Sequence, residues 1–150
     1  MVTAPYALLA LRLLLGWMYF YAGLVKLLDP EWSAAGYLKT AQGPFANAFQ
    51  SMAGSQVVDA LVMWGLLLIG LALMLGFLTR AAAFLGVVIT LLFYFSKFPP
   101  QYGLVDEHII YVAAFIVVGY TGVGKFFGVD GSPSVRKLAE RNNRLRLLTA

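Results

Sequence analysis

A chain of 150 residues that is 61% hydrophobic and 12% charged cannot clothe a water-facing globule, because a soluble domain carries about 25% charged residues; lipid is the solvent that suits it. Its net charge of +4 comes from cations gathered at helix ends and at the C-terminus, which read as topology signals and not as a nucleic-acid surface. With no cysteine and a single histidine, His108, the chain offers no disulfide, iron–sulfur cluster or structural zinc site and no histidine pair for haem. No nucleotide motif suggests a flavin, so no haem, flavin or metal is expected within it.

The first predicted helix covers residues 5–28. Its N-terminus lacks a basic region ahead of the apolar run and a small-residue cleavage site after it, so it reads as a retained helix and not a signal peptide. Pro5 suits a first turn, and Asp29-Pro30 ends the helix. A loop over residues 29–56 follows. Within it, GPFANAFQSMAG predicts a short amphipathic helix with Phe45, Phe49 and Met52 on one face, lying as a cap at the outer membrane interface. The second helix is predicted at 57–78, the third at 80–98 (stopped by Pro99-Pro100) and the fourth at 107–127. Each approaches the roughly 20 residues needed to cross the hydrocarbon core. The links GFLTRA and PPQYGLVD are short, which implies an all-α, up-down, four-helix transmembrane bundle over residues 1–128. Residues 129–150 then form a basic cytoplasmic tail, with an amphipathic helix over 134–148 suited to an anionic leaflet.

Cation placement sets the orientation. With both termini inside, Arg12, Arg80, Lys125 and the tail cations Arg136, Lys137, Arg141, Arg144 and Arg146 face the cytoplasm, and only Lys26, Lys39 and Lys97 lie outside. The expected location is the plasma membrane, multi-pass, with both ends cytoplasmic.

Arg12, Gly16, Tyr19, Gly23 and Lys26 recur at helical spacing along one stripe of the first helix. Ionisable groups avoid lipid, and glycines admit close helix approach, so this stripe should turn inward. Thr90, Tyr94 and Lys97 form a similar stripe on the third helix. Asp106, Glu107 and His108 open the fourth, with Tyr111 one turn on, and Asp59 opens the second. Lys26, Asp59, Lys97, Glu107, His108, Tyr94 and Tyr111 are therefore expected to share one outer cavity, with Lys26 and Lys97 pairing with Asp59 or Glu107. The assigned roles are proton transfer for His108, Tyr94 and Tyr111, and substrate binding for Arg12, Tyr19, Lys26, Asp59, Lys97 and Glu107. Against this stand plainer roles: snorkelling for the two lysines, interfacial packing for the tyrosines and helix capping for His108.

The stretches LRLLLGWMYFYAGLVKLLDP, LLLIGLALMLGFLTRAAAFLG, DEHIIYVAAF and GVGKFFGVDG, in that order, resemble the DoxX/DoxD family of small four-helix membrane proteins. The resemblance implies a membrane subunit of a redox system, similar to the membrane subunit of thiosulfate:quinone oxidoreductase, in which thiosulfate is oxidised to tetrathionate and a membrane quinone is reduced. Quinone is then the expected cofactor. The expected partners are membrane lipid, a second redox subunit and a further copy of the chain. Two other readings stay open: a noncatalytic anchor for a soluble oxidoreductase, and a small-anion or proton carrier.

Overall fold

The computed structural model of the protein describes residues 3–100 and 103–149; the chain ends, Gln101 and Tyr102 of the predicted third link, and the side chains of Thr3, Asn143 and Arg144 lie outside the described residues. The helices are α1 (Thr3–Leu28), α2 (Ala35–Lys39), α3 (Ala46–Ser51), α4 (Gln56–Leu75), α5 (Thr79–Ser96), α6 (Glu107–Thr121), α7 (Pro133–Arg141) and α8 (Asn143–Leu148). No strand occurs among the described residues; there is an isolated parallel bridge between Gln42 and Lys97. Helices α1, α4 and α5 are long and apolar enough to cross a membrane, with mean hydropathies of 1.7, 2.3 and 1.6. Helix α6 is apolar but has 15 residues, about 22 Å of rise against about 30 Å of hydrocarbon.

Several helix ends differ from the sequence reading, and each difference has a local cause. The helix predicted over 57–78 stops at Leu75 because Gly76 takes a left-handed φ of 64°. The amide of Gly76 donates to the Leu73 carbonyl (3.2 Å) and that of Phe77 to Ala72 (2.9 Å), which satisfies carbonyls that the helix end leaves open. The helix predicted over 107–127 stops at Thr121 in the same way, with Gly122 left-handed and a 3-10 turn over Val123–Lys125. The predicted third helix (80–98) is Thr79–Ser96. The tail helix is divided, because Asn142 is extended between α7 and α8.

α1 packs along α4, α4 on α5, α5 on α6, and α6 returns to α1. The core between them contains Leu15, Tyr19, Leu66, Ile69, Leu73, Phe115 and Val118. Leu14, Trp17, Leu61, Leu68, Phe84 and Tyr120 point away from it and are exposed, an apolar exterior suited to acyl chains. The α1 stripe is turned inward: Arg12, Gly16, Tyr19 and Gly23 are buried. A methyl on Gly23 would strike the Leu67 backbone, and one on Gly70 would strike Phe20 and the Gly16 carbonyl. The two helices touch backbone to backbone, as membrane helices with small interfacial residues do.

The loop between α1 and α4 folds into its own small core of Ala34, Leu38, Ala41 and Phe49, with Trp32 and Val58 packed on it. Phe49 alone of the predicted apolar face is buried; Phe45 and Met52 are exposed, and Phe45 stacks edge-on against Phe95.

At the opposite end, Gly128–Gly131 does not begin a free tail. Asp130 is 1% exposed. Its carboxylate accepts from the amides of Leu78 (2.8 Å) and Thr79 (2.9 Å), while its own amide donates to the Gly76 carbonyl (2.9 Å). It thus caps the N-terminus of α5, where an anion is favoured by the helix dipole. The tail proper starts at Ser132, the N-cap of α7.

Candidate functional site

The predicted site residues make their contacts in several groups, and Arg12 and Tyr19 are not among those expected at the outer ends of the helices. Arg12 lies at the Asp130 end, away from the others. It is 1% exposed. Its Nη1 donates to the Val123 carbonyl (3.1 Å) and its Nη2 to the Phe127 carbonyl (2.8 Å). Asp130 supplies the opposite charge that acts on it. Arg12 therefore ties α1 to the turn that follows α6, at the Val123 and Phe127 carbonyls.

Tyr19 sits mid-core. Its ring meets Phe115 edge to face at 4.9 Å, and its hydroxyl is hydrogen-bonded to Thr90. Thr90 donates its own proton to the Gly86 carbonyl (2.5 Å), so Tyr19 is the donor to Thr90. Tyr111 is half-buried against the same core.

Lys26 and Lys97 do not pair with Asp59 or Glu107. Among the described residues, neither lysine has a carboxylate within ion-pair distance. The folded loop supplies other partners first. Lys26 Nζ donates to the Ala22 carbonyl (3.1 Å) and lies 5.4 Å from the Trp32 ring centre. Lys97 Nζ donates to Thr40, at 3.1 Å to its carbonyl and 2.5 Å to its hydroxyl, and lies 4.6 Å over Tyr37. Ring faces and carbonyls together hold an ammonium group well. Asp59 accepts from the Ala34 amide (2.8 Å), which pins the loop to α4. Glu107 is exposed. Tyr37, which sequence reasoning passed over, bonds Ser96 (2.8 Å); burial pushes its phenol pKa up, and the Ser96 hydrogen bond works against that shift.

His108 and Tyr94 are neighbours, with ring centres 6.5 Å apart. The Tyr94 hydroxyl donates to the Leu104 carbonyl (2.8 Å). His108 Nδ1 lies 2.9 Å from Asp106 Oδ2, which leaves Nε2 as the nitrogen able to exchange a proton. Asp106 is also the N-cap of α6, accepting from the amides of His108 (3.0 Å) and Ile109 (3.3 Å). Desolvation alone would raise its carboxyl pKa. The hydrogen bonds from the His108 ring and from both amides outweigh it and hold the group below the ordinary carboxylate value.

A pKa held low in the folded state adds stability above the unfolded value of about 4, and that increment is lost as pH falls through the folded value. Asn caps helices as well as Asp. Asp106→Asn is therefore expected to flatten the loss of melting temperature as pH falls below about 4, whereas Asp106→Ala also loses the cap, about 0.5–2 kcal/mol at neutral pH. Thermal melts of the three proteins across pH check both effects.

A groove of about 490 Å³ opens between α5 and α6, lined by Arg80, Ala83, Phe84, Val87, Phe115, Ile116, Gly119 and Tyr120. None of the predicted site residues lines it. Arg80 is in the first turn of α5 and Val87 two turns further on, so the groove leads from the Arg12 end into the helix pack. Its floor is the Phe115 ring, and Gly86 leaves room for it: a methyl there would strike the ring. The back of that ring rests on Tyr19. Among the described residues, the Arg80 guanidinium has neither ion pair nor hydrogen-bond acceptor. A second cavity, about 360 Å³ and polar, lies under the tail.

An all-helical chain with three membrane-length apolar helices and an ionisable stripe buried between them is an integral membrane protein. The DoxX family model matches residues 7–97, more than half of the chain, and the protein belongs to the DoxX family, membrane proteins of redox-associated type. The match runs from α1 through the loop to the end of α5, and leaves α6 and the tail outside it. No curated protein and no solved structure matches the chain.

Proposed function

We propose that the protein is the quinone-binding membrane subunit of a redox system. It spans the plasma membrane as an up-down four-helix bundle with both termini cytoplasmic. Cations concentrated at the Arg12 end support that orientation. The observation that carries the functional reading is the α5–α6 groove. Its walls are Phe84, Phe115, Ile116 and Tyr120, and it faces the lipid side of the helix pack with the unpaired Arg80 guanidinium at its mouth. Aromatic walls suit a planar ring and an isoprenoid tail, and a guanidinium donates to a ring carbonyl. Family membership supports a redox partner over a structural lipid.

Reduction of a quinone consumes two electrons and two protons. The chain has no cysteine, and its residues offer no haem pair or flavin motif. The electrons therefore come from a bound reductant or a second redox subunit. A small sulfur oxyanion is the reductant the family suggests, two thiosulfates joining as tetrathionate with release of two electrons.

An azido-quinone in nanodiscs is expected to label α5 and α6 in competition with unlabelled quinone. Arg80→Gln, which removes one charge-assisted hydrogen bond of about 1.5–3 kcal/mol, is expected to weaken binding tenfold or more. Labelling confined to other helices, or a groove that retains phospholipid and ignores quinone, would remove the reading. Thiosulfate-dependent quinone reduction by the protein, alone or with a co-purified partner, tests the reductant separately.

A further inference from the structure

The polar cavity beneath the tail is built from three elements distant in sequence: the turn after α6, helix α7 and helix α8. Lys125, Arg136 and Arg146 bring three cations to its walls, with Thr149 beside them and Asp130 and Glu140 as the acids. Asp130 is occupied with the amides of Leu78 and Thr79. Among the described residues, Lys125, Arg136 and Arg146 have no ion pair, and no acceptor receives a hydrogen bond from their side chains. Tail cations that were merely solvated would spread around α7 and α8. Here three from separate elements line one concavity of about 360 Å³. Like charges gathered without partners repel, and a bound anion removes that cost. Around this end, Phe126, Phe127, Leu138, Leu147 and Leu148 are exposed, so the cavity is bordered by side chains that prefer acyl surroundings.

We infer that this cavity is a phosphate-type oxyanion site at the membrane surface, filled by the phosphate of an anionic phospholipid headgroup or by free phosphate. Its occupant joins α7 and α8 to the turn after α6 and so fixes the tail against the helix ends. The inference does not depend on quinone binding in the α5–α6 groove.

The test uses the full chain in phosphatidylcholine nanodiscs. In one arm phosphatidylglycerol replaces part of the lipid; in the other inorganic phosphate is titrated against chloride at constant ionic strength. The readouts are melting temperature and lipid retained in native mass spectrometry. Stabilisation by phosphatidylglycerol alone assigns the site to a lipid headgroup, and stabilisation by both assigns it to any phosphate oxyanion. The double variant R136Q/R146Q is expected to weaken the response about 25-fold in half-saturating concentration, about fivefold per cation. Both side chains are exposed, so the fold does not depend on them. The control K137Q/R141Q removes the same charge from α7 positions that do not line the cavity. No response to either anion, or an equal loss in both double variants, would overturn the site.

Discussion

Arg12→Met is expected to lower the stability of the folded protein by about 3–5 kcal/mol, the range for removing one partner from a buried, charged network. Methionine fills similar volume, so the loss is one of charge and hydrogen bonds and not of packing. The Val123 and Phe127 carbonyls would each lose a charged donor, and the attraction between Asp130 and the guanidinium would be lost. Arg12→Lys keeps the charge, but a compact ammonium cannot reproduce the guanidinium fork, so an intermediate loss is expected. Melting in nanodiscs measures both. A cycle with Asp130→Asn should show coupling of about 0.5–3 kcal/mol between the two positions. Additive losses, or an Arg12→Met protein that melts like the parent, would show that the guanidinium does not hold this end together.

The second large effect is steric. Gly70→Leu is expected to prevent α1 from seating on α4, because the new side chain would start inside the backbone of Phe20 and Gly16. Overpacking against side chains costs about 1–3 kcal/mol; backbone cannot turn away as a side chain can, so the loss should exceed that range and appear as absence of folded protein from membranes. Gly65→Ala on the same helix is the control. A methyl there meets only the Ile89 Cδ1 atom at 3.7 Å, ordinary contact distance, and folded yield should be unchanged. Equal yields from the two variants would mean that the α1–α4 approach is looser than these positions require.

What could be read from the residues alone followed from how far each signal reaches. The long helices were legible because an apolar run is a local property. The inward face of α1 was legible because Arg12, Gly16, Tyr19 and Gly23 repeat at helical spacing, and burying an arginine in lipid is costly. Helix ends were less so: an apolar residue such as Phe77 continues the pattern even where Gly76 has already reversed the chain. Asp130 was hidden, since an aspartate among glycines reads as a turn residue, and the amides it caps lie 51 and 52 residues away. The lysine partners were misjudged because a charge pattern shows cations and anions but not the carbonyls and rings that a folded loop brings nearer. The α5–α6 groove was beyond reach for a simpler reason. It is the space left where two apolar surfaces fail to meet, and neither surface announces the gap.

The span of the Arg12 tie sets an order of events at synthesis. The acceptors of this arginine follow it by 111 and 115 residues, so α1 emerges and enters the bilayer long before Val123 and Phe127 exist. Until the last apolar segment and the turn after it arrive, the guanidinium lacks both of the carbonyl partners it has in the folded protein. The tie therefore closes late: a first helix already in the bilayer gains these two acceptors only once residues 123 to 127 have been made.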